Sequence, residues 1–275
     1  MFFLLRLLSL CPLWLLHALG SAGGWLVFAF DGTYRQRFIA NAAQAGYGFA
    51  AVNGVMGAVG AAGKLAAELP RLWLGRPVVA EFLGTEYIDA AHAAGKGIIF
   101  LTPHLGCFEI TPQAYAARYA TEGRSITVMY RPPRKAWLEP LFARARQRPG
   151  MAGAPASLGG IKQMMKALKQ GQAVGVLPDQ VPPAGMGVWA DFFGQPAYTM
   201  TLAAKLAQQT GAVLLLAVGE RLTCGRGYRV WVEPAPNDLP AEPQAAAACI
   251  NQWMEGLIRR YPQQYLWGYA RYKQP

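Results

Sequence analysis

Short apolar runs alternate along the chain with longer stretches that mix apolar and polar residues. A short apolar run bounded by glycine or proline is typical of a buried strand, and a longer mixed run is typical of a helix. The predicted strands are Ile98–Leu101, Ile126–Tyr130, Ala173–Leu177, Val213–Val218 and Tyr228–Val232. The predicted helices are Tyr87–Ala94, Glu109–Tyr119, Trp137–Arg146, Gly160–Lys169, Leu202–Thr210 and Gln244–Arg260. This alternation predicts an α/β fold in which helices cover a mixed sheet.

The longest apolar segment lies at the amino terminus. From Leu7 to Phe30 the chain carries no formal charge, and this length exceeds the roughly 20 residues that a helix needs to cross a hydrocarbon core. We therefore expect residues 1–30 to form a membrane anchor. Because Arg35 and Arg37 follow at once, the positive-inside rule places the rest of the chain in the cytoplasm.

Two alternatives to a single spanning helix stay open. Pro12 and the glycines that follow it leave room for a broken, re-entrant or interfacial helix. A cleaved signal peptide would use the small residues at Ala18-Leu19-Gly20. Against the signal peptide, the apolar run continues past that site through Trp25-Leu26-Val27-Phe28.

The chain after the anchor divides into two regions. Residues 31–69 are predicted to be a membrane-proximal helical region, because Asn41 to Ala67 is rich in alanine and glycine; an ordinary buried helix explains this stretch equally well. No internal repeat or long low-complexity linker follows. Residues 70–275 are therefore predicted to form one catalytic unit.

Composition restricts the class of partner. Charged residues make up 15% of the chain, against roughly 25% in an average soluble domain, yet the net charge is +11. A basic and apolar chain suits an anionic membrane surface better than nucleic acid, for which no binding motif is present. The four cysteines show no C-x-x-C spacing, which indicates a reducing compartment and neither a disulfide framework nor a zinc site.

A histidine and a carboxylate follow the strand Ile98–Leu101. His104 lies beside Pro103, and Glu109 begins the next helix. Residues five apart in one helix point about 140° away from each other, so His104 must lie in the loop if the two side chains are to meet. At the carboxyl end of a strand, where α/β sheets bind ligands, such a pair would remove a proton from a hydroxyl. The alternative is a loop histidine and a glutamate placed for the helix dipole.

A dense basic segment begins at Tyr130-Arg131-Pro132 and continues to Arg148, opposed only by Glu139. Guanidinium groups favour bidentate contacts with phosphate. Because Arg131 directly follows a strand end, we predict that it lies in the site and binds a phosphorylated head group. The alternative is a solvated helix face or a general lipid-surface patch.

Further polar motifs follow the strand that ends at Leu177. Leu177-Pro178-Asp179-Gln180 places two polar side chains at this strand end, although Asp179 could simply pair with an arginine. Asp191-Phe192-Phe193-Gly194 could belong to the core or line an acyl-chain pocket. Tyr198-Thr199-Met200-Thr201 is predicted to open a helix, with Thr199 or Thr201 as its N-cap.

Taken in order, these motifs resemble those of the late, or secondary, acyltransferases of lipid A biosynthesis in Gram-negative bacteria, relatives of the glycerolphosphate acyltransferases. The similarity covers nearly the whole chain: the apolar amino terminus, His104-x4-Glu109, Tyr130-Arg131-Pro132, Arg144-x-Arg146, "KQMMKALKQGQ", Pro178-Asp179, Phe193-Gly194 with Thr199, and "PQQYLWGYARYK" near the carboxyl end.

The resemblance implies transfer of a fatty acyl group, usually from acyl carrier protein, to a hydroxyl of a phosphorylated glycolipid. This would take place among membrane phospholipids on the cytoplasmic face of the inner membrane, without nucleic acid, and residues 70–275 would be the acyltransferase domain. His104 would be the general base and Glu109 its orienting carboxylate. Substrate contacts would come from Arg131, Arg146, Asp179, Gln180, Phe193, Gly194 and Thr199. No metal or organic cofactor is implied, because the thioester is already activated.

Two other functions fit the same residues. One is an acyltransferase for a lysophospholipid or an ornithine-type lipid, with a carrier-protein or a coenzyme A donor. The other is a membrane-bound lipid-binding protein without catalysis, in which His104 and Glu109 would be dispensable.

Overall fold

A computed structural model of the chain describes residues 2–48, 54–78, 80–130 and 148–275. The helices are α1 (Phe2–Leu8), α2 (Leu13–Phe30), α3 (Gly32–Gln44), α4 (Gly57–Leu74), α5 (Thr85–Ala93), α6 (Ile110–Tyr119), α7 (Leu158–Lys169), α8 (Leu202–Thr210) and α9 (Pro243–Arg260). The strands are β1 (Ala80–Leu83), β2 (Ile98–Leu101), β3 (Ile126–Tyr130), β4 (Met151–Pro155), β5 (Ala173–Val176), β6 (Gly187–Phe192), β7 (Gln195–Met200), β8 (Val213–Arg221) and β9 (Tyr228–Pro234). The predicted helix Trp137–Arg146 lies outside the described residues.

Seven strands form one sheet in the order β1-β9-β8-β2-β5-β3-β4. Neighbouring strands are parallel except for β8 and β9, which are antiparallel. The adjacent strands β2 and β5 are buried along their whole length, as parallel strands covered by helices on both faces should be. The predicted mixed α/β fold is confirmed, and all five predicted strands belong to this sheet.

The sequence did not predict β1, β4 or the hairpin formed by β6 and β7. Of the two predicted N-cap residues, Thr201 does directly precede α8, which begins at Leu202, although without a side-chain capping hydrogen bond. The prediction is wrong for Thr199, which lies in β7. Phe193 and Gly194 form the two-residue turn of the hairpin, with φ values of 49° and 74°. Positive φ at both positions is what a type I′ turn requires, and this turn matches the twist of the two strands.

The amino-terminal apolar segment forms two helices rather than one continuous span. α1 ends at Leu8, and α2 begins at Leu13 directly after Pro12, whose ring fixes φ and whose nitrogen has no hydrogen to donate. Of the alternatives left open by the sequence, the structure thus shows a helix interrupted at Pro12. Among the helices that the structure describes, α2 is the one long and apolar enough to cross a membrane, and 28% of it is buried. Its 18 residues extend about 27 Å at 1.5 Å per residue.

Glycines bring α2 and α4 into backbone contact. A Cβ on Gly63 would lie 1.9 Å from the carbonyl oxygen of Gly20, and a Cβ on Gly24 would lie 2.3 Å from that of Val59. Only hydrogen fits at these positions, and such close approach through small residues is typical of helix pairs in membranes. The packing makes α2 and α4 one unit.

The helix ends can be compared with two ranges predicted from the sequence. The helical stretch predicted from Asn41 to Ala67 is interrupted, because α3 ends at Gln44 and α4 starts at Gly57. The predicted domain boundary at residue 70 falls inside α4, which continues through Pro70 to Leu74.

A buried ionic cluster joins the α2–α4 pair to the sheet. Glu68 of α4 accepts hydrogen bonds from the Nη2 group of Arg221 on β8 at 2.6 Å and from the hydroxyl of Tyr228 on β9 at 2.9 Å. His17 of α2 completes the cluster, with Nε2 2.9 Å from Oε2 of Glu68. Burial opposes ionisation of Glu68, but Arg221 and the hydrogen bonds hold its pKa below the usual value. Removing one partner would leave a buried charge uncompensated, so the cluster fixes the helix pair against β8 and β9.

Candidate active site

The loop after β2 carries His104 and is fixed from two sides. The His104 carbonyl accepts from the Leu266 N–H at 3.3 Å, and the Gly106 N–H donates to the Gln264 carbonyl at 3.0 Å. Gly106 has a φ of +59°, and a Cβ there would lie 2.1 Å from the Gly219 carbonyl oxygen. Glycine is therefore required where this loop passes β8. The carboxyl-terminal segment around residues 264–266 thus sets the position of the histidine.

The carboxylate that contacts the imidazole belongs to Asp179. His104 Nδ1 lies 2.7 Å from Oδ1 of Asp179, and the His104 backbone N–H donates to Oδ2 at 2.9 Å. The contact follows from topology, because β2 and β5 are adjacent parallel strands and the residues that follow them lie at the same edge of the sheet.

The charge state of Asp179 decides the tautomer of His104. Burial opposes ionisation of this fully buried carboxyl, but His104 and the nearby Arg271 lower its pKa below the usual value. An ionised carboxylate only accepts hydrogen bonds, so Nδ1 carries the proton. Nε2 is then the basic nitrogen, and it is the one left for a substrate hydroxyl.

Glu109 does not occupy the place predicted for it. It precedes α6 with helical backbone angles, and its Oε2 accepts a hydrogen bond from Trp73 Nε1 of α4 at 3.3 Å. The predicted orienting contact with His104 is therefore wrong, because the helix start turns this side chain toward α4 while Asp179 already occupies Nδ1. Both His104 and Glu109 nevertheless line the same cavity.

The cavity has a volume of about 650 Å³, within the range typical of ligand sites. Its polar lining residues include Thr102, His104, Glu109 and Gln180. Most of the remaining wall is apolar and comes from several elements, including Ile126, Val128, Met129, Ile161, Val176, Pro182, Met186, Met200 and Leu202. Gly175, at the centre of β5, also lines it. A histidine in a largely apolar lining suits a molecule that has both a polar group and a hydrocarbon chain.

The other predicted substrate residues do not gather around this cavity. Phe193 is buried in the core, and its N–H donates to Glu255 at 2.6 Å. Gly194 lies in the exposed turn of the hairpin, and Thr199 is fully buried and accepts from Arg271 Nη2 at 2.6 Å. These contacts give the three residues packing and turn-forming roles. Arg131 and Arg146 lie outside the described residues.

Sequence reasoning missed three contributions to the site. Asp179 was assigned to substrate binding, although its strand-end position, shared with His104, was the signal that the two side chains would meet. The hydrogen bond from Trp73 to Glu109 could not be predicted from the sequence, because a tryptophan near the end of an apolar helix usually belongs to the hydrophobic core. Tyr269 also lines the cavity, and its hydroxyl accepts from the Val181 N–H at 3.0 Å; its motif was noted without a role.

Comparison with known proteins gives consistent matches. The sequence model of the family described as bacterial lipid A biosynthesis acyltransferase matches residues 53–274. The lipid A biosynthesis acyltransferase of Haemophilus influenzae is 32% identical over 188 residues, 68% of this chain and 57% of that protein. The lipid A biosynthesis lauroyltransferase of Escherichia coli is 30% identical over 198 residues, which cover 70% of this chain and 61% of that protein. The phosphatidylinositol mannoside acyltransferase of Mycobacterium tuberculosis is 29% identical over 174 residues, which cover 60% of this chain and 52% of that protein. The chain thus spans between 52% and 61% of the length of these relatives.

Proposed function

Because the chain belongs to the bacterial lipid A biosynthesis acyltransferases, we propose that it transfers a fatty acyl group from a thioester to a hydroxyl of a lipid A precursor. The observation that carries this proposal is the contact between the buried Asp179 and His104, which lines a largely apolar cavity. A positioned base serves the acceptor hydroxyl, and the apolar wall suits the acyl chain.

In this mechanism His104 Nε2 removes the proton from the acceptor hydroxyl while the hydroxyl oxygen attacks the thioester carbonyl carbon. The tetrahedral intermediate collapses with cleavage of the carbon–sulfur bond. The protonated His104 then returns its proton to the leaving thiolate, so that the products are an ester and a free thiol. Asp179 holds the imidazole through Nδ1 and stabilises the imidazolium. Arg131 and Arg146 remain proposed contacts for the acceptor phosphate.

The donor is proposed to be acyl carrier protein, and the site of action the cytoplasmic face of the inner membrane. Support for the membrane comes from α2, which carries the exposed apolar side chains Trp14, Leu19, Trp25, Leu26 and Phe30. An apolar helix surface of this kind is energetically suited to hydrocarbon.

The direct test is transfer by the purified full-length protein in detergent. Acyl carrier protein loaded with dodecanoate would be offered with a purified lipid A precursor that has a free hydroxyl, and products would be read by mass spectrometry. Gain of one dodecanoyl group by the precursor, with release of carrier thiol, is expected. Release of free fatty acid alone would reject the proposed acceptor.

The mycobacterial relative favours a second acceptor class. The name of that protein gives a mannosylated inositol phospholipid as its acceptor, so the same assay should include such a glycolipid. Faster transfer to it than to the lipid A precursor would move this chain to that second class. The donor half of the proposal would stand.

Glu109 is proposed to add negative charge beside His104 at the cavity. We expect Glu109→Gln and Glu109→Ala to lower the transfer rate by similar factors, because the charge and not the shape of the side chain is proposed to act. Loss of a charge interaction of roughly 1.4 kcal/mol in the transition state corresponds to about tenfold in rate. Steady-state kinetics of both variants would measure this. Full activity of Glu109→Gln would reject the proposed charge role of Glu109 and leave it only a structural role at the start of α6.

Insertion of α2 is expected to hold the protein on membranes by apolar contact. Washing with 1 M salt reduces the Debye length to about 3 Å and should leave the protein in the membrane fraction, whereas detergent should release it. The double variant Leu19→Glu/Leu26→Glu, at positions 56% and 59% exposed, should shift to the soluble fraction. Release of the unaltered protein by salt would show adhesion by charge instead.

A further inference from the structure

The exposed lysines of α7 and α8, here called the lysine face, have no acidic residue on either helix. Lys162, Lys166 and Lys169 are exposed on α7, and their spacing places them within an arc of about 60° at 100° per residue. Lys205 is exposed on α8, which packs against α7. Neither helix contains Asp or Glu. Among the described residues, none of the four lysines takes part in an ion pair.

The helix dipole does not account for all the lysines of the lysine face. Cations are favoured in the last turn of a helix, which covers Lys166 and Lys169. Lys162 lies in the amino-terminal half of α7, where the dipole gives a cation no advantage. The charged side chains of α7 and α8 are all positive, whereas charges of both signs are usually mixed on a solvated surface.

The lysine face adjoins the catalytic cavity. Ile161, the residue before Lys162, lines the cavity, as does Ala156 just before α7. A partner seated on α7 would therefore lie within about one helical turn of the cavity wall. That distance suits a partner that delivers a group on a flexible arm.

The face also lies away from the apolar helix α2. α7 packs against β3, β4 and β5 at one end of the strand order, whereas α2 contacts the segment Thr223–Gly225, which connects β8 and β9 in the other half. A lipid surface that contacts α2 would approach from that other half of the sheet. An acidic protein is therefore the better fit to the lysines than anionic lipid.

We propose that Lys162, Lys166, Lys169 and Lys205 form the docking surface for the acidic carrier protein that presents the acyl thioester. This inference rests on the proposed function and adds the partner's binding surface. Charge complementarity of this kind mainly raises the rate of association and orients the partner. It therefore acts on the saturation of the protein-bound donor and leaves the chemistry at His104 unchanged.

The test compares two donors with the same acyl arm. Dodecanoyl-acyl carrier protein carries the acidic protein surface, and S-dodecanoyl-pantetheine is uncharged and lacks it. We expect Lys162→Glu/Lys166→Glu to raise KM for the carrier-bound donor by about tenfold at low salt, with little change in kcat. The KM for the pantetheine thioester should stay unchanged. Salt of 0.5 M should reduce the difference between variant and unaltered protein, because it screens exposed charges.

Arg76→Glu/Arg226→Glu is the matched control, since it changes the net charge equally at two exposed arginines outside this face. It should leave both KM values near those of the unaltered protein. The docking surface would be overturned if KM rose equally for both donors in the lysine variant. It would also be overturned if KM for the carrier-bound donor rose as much in the control as in the lysine variant. An unchanged carrier KM combined with loss of flotation on anionic phospholipid vesicles would overturn it as well, and would assign the lysines to lipid.

The same experiment separates the two proposals. Transfer from the pantetheine thioester but not from the carrier protein would reject the docking surface and keep the acyltransferase function. Absence of transfer from either donor in the unaltered protein would reject the proposed function and the docking surface with it.

Discussion

Replacing His104 with alanine is expected to lower the rate of acyl transfer by at least about 10²-fold, the usual contribution of a positioned general base. The physical reason is that Nε2 is the basic nitrogen left for the acceptor hydroxyl while Nδ1 is held by Asp179. The measurement is the steady-state rate with saturating donor and acceptor. Circular dichroism and thermal unfolding should show that the variant is folded.

His92→Ala is the matched control for a histidine outside the cavity. His92 packs against Tyr115 and Tyr119, so its removal should cost some stability and leave the transfer rate near that of the unaltered protein. Near-normal transfer by folded His104→Ala would reject the general-base assignment. Absence of acyl transfer by both the unaltered protein and the His104→Ala variant would favour the lipid-binding alternative.

Asp179→Asn is expected to lower the transfer rate by about 10²-fold or more, although the side chain keeps nearly the same shape. Asp179 accepts one hydrogen bond from the His104 backbone N–H and one from the ring, whereas asparagine has one acceptor oxygen and one donor amide. In one orientation the amide NH2 faces the His104 backbone N–H, so that a donor faces a donor. In the other orientation the NH2 faces Nδ1, which forces the proton of His104 onto Nε2 and gives the base the wrong tautomer.

Stability gives an independent measurement of the same pair. The pKa of Asp179 is lowered in the folded protein, so its contribution to stability is present above the ordinary Asp pKa and is lost as the pH falls through the lower folded value. Asp179→Asn removes this titration and should lower the free energy of unfolding at neutral pH by about 1–3 kcal/mol. Denaturant unfolding from pH 7 to acid pH should therefore show a smaller loss for the variant. Normal transfer with only a loss of stability would make Asp179 a structural residue.

Local sequence was sufficient where a single stretch of chain decides the outcome. The apolar run Ile98–Leu101 specifies a buried strand by itself, and Pro103 ends regular structure after it, so the position of His104 at a strand end was predictable. The order of motifs was also sufficient to indicate the family before any fold was known. In the same way, Pro12 signalled a possible break in the amino-terminal helix, because proline acts on its own neighbours.

The hairpin of β6 and β7 shows where local patterns were ambiguous. The turn at Phe193 and Gly194 has a glycine at only one of its two positions, so the sequence signal for a hairpin is weak. Thr199 has a side chain that is also common at the N-cap of a helix. Strand pairing and burial against Arg271 and Asn251 decided in favour of a strand, since tertiary contacts outweigh the small intrinsic preferences of single residues.

The sequence by itself therefore determined the fold class, the family and the position of His104 at the end of β2. Only the tertiary structure decided which carboxylate contacts that histidine. Glu109 is five residues from His104 along the chain and Asp179 is 75 residues away, yet β2 and β5 pair directly, and Glu109 turns to Trp73. Proximity in sequence limits where a side chain can reach, but the pairing of strands and the packing of α4 decide which groups meet. Those long-range contacts leave no periodic signal in the chain.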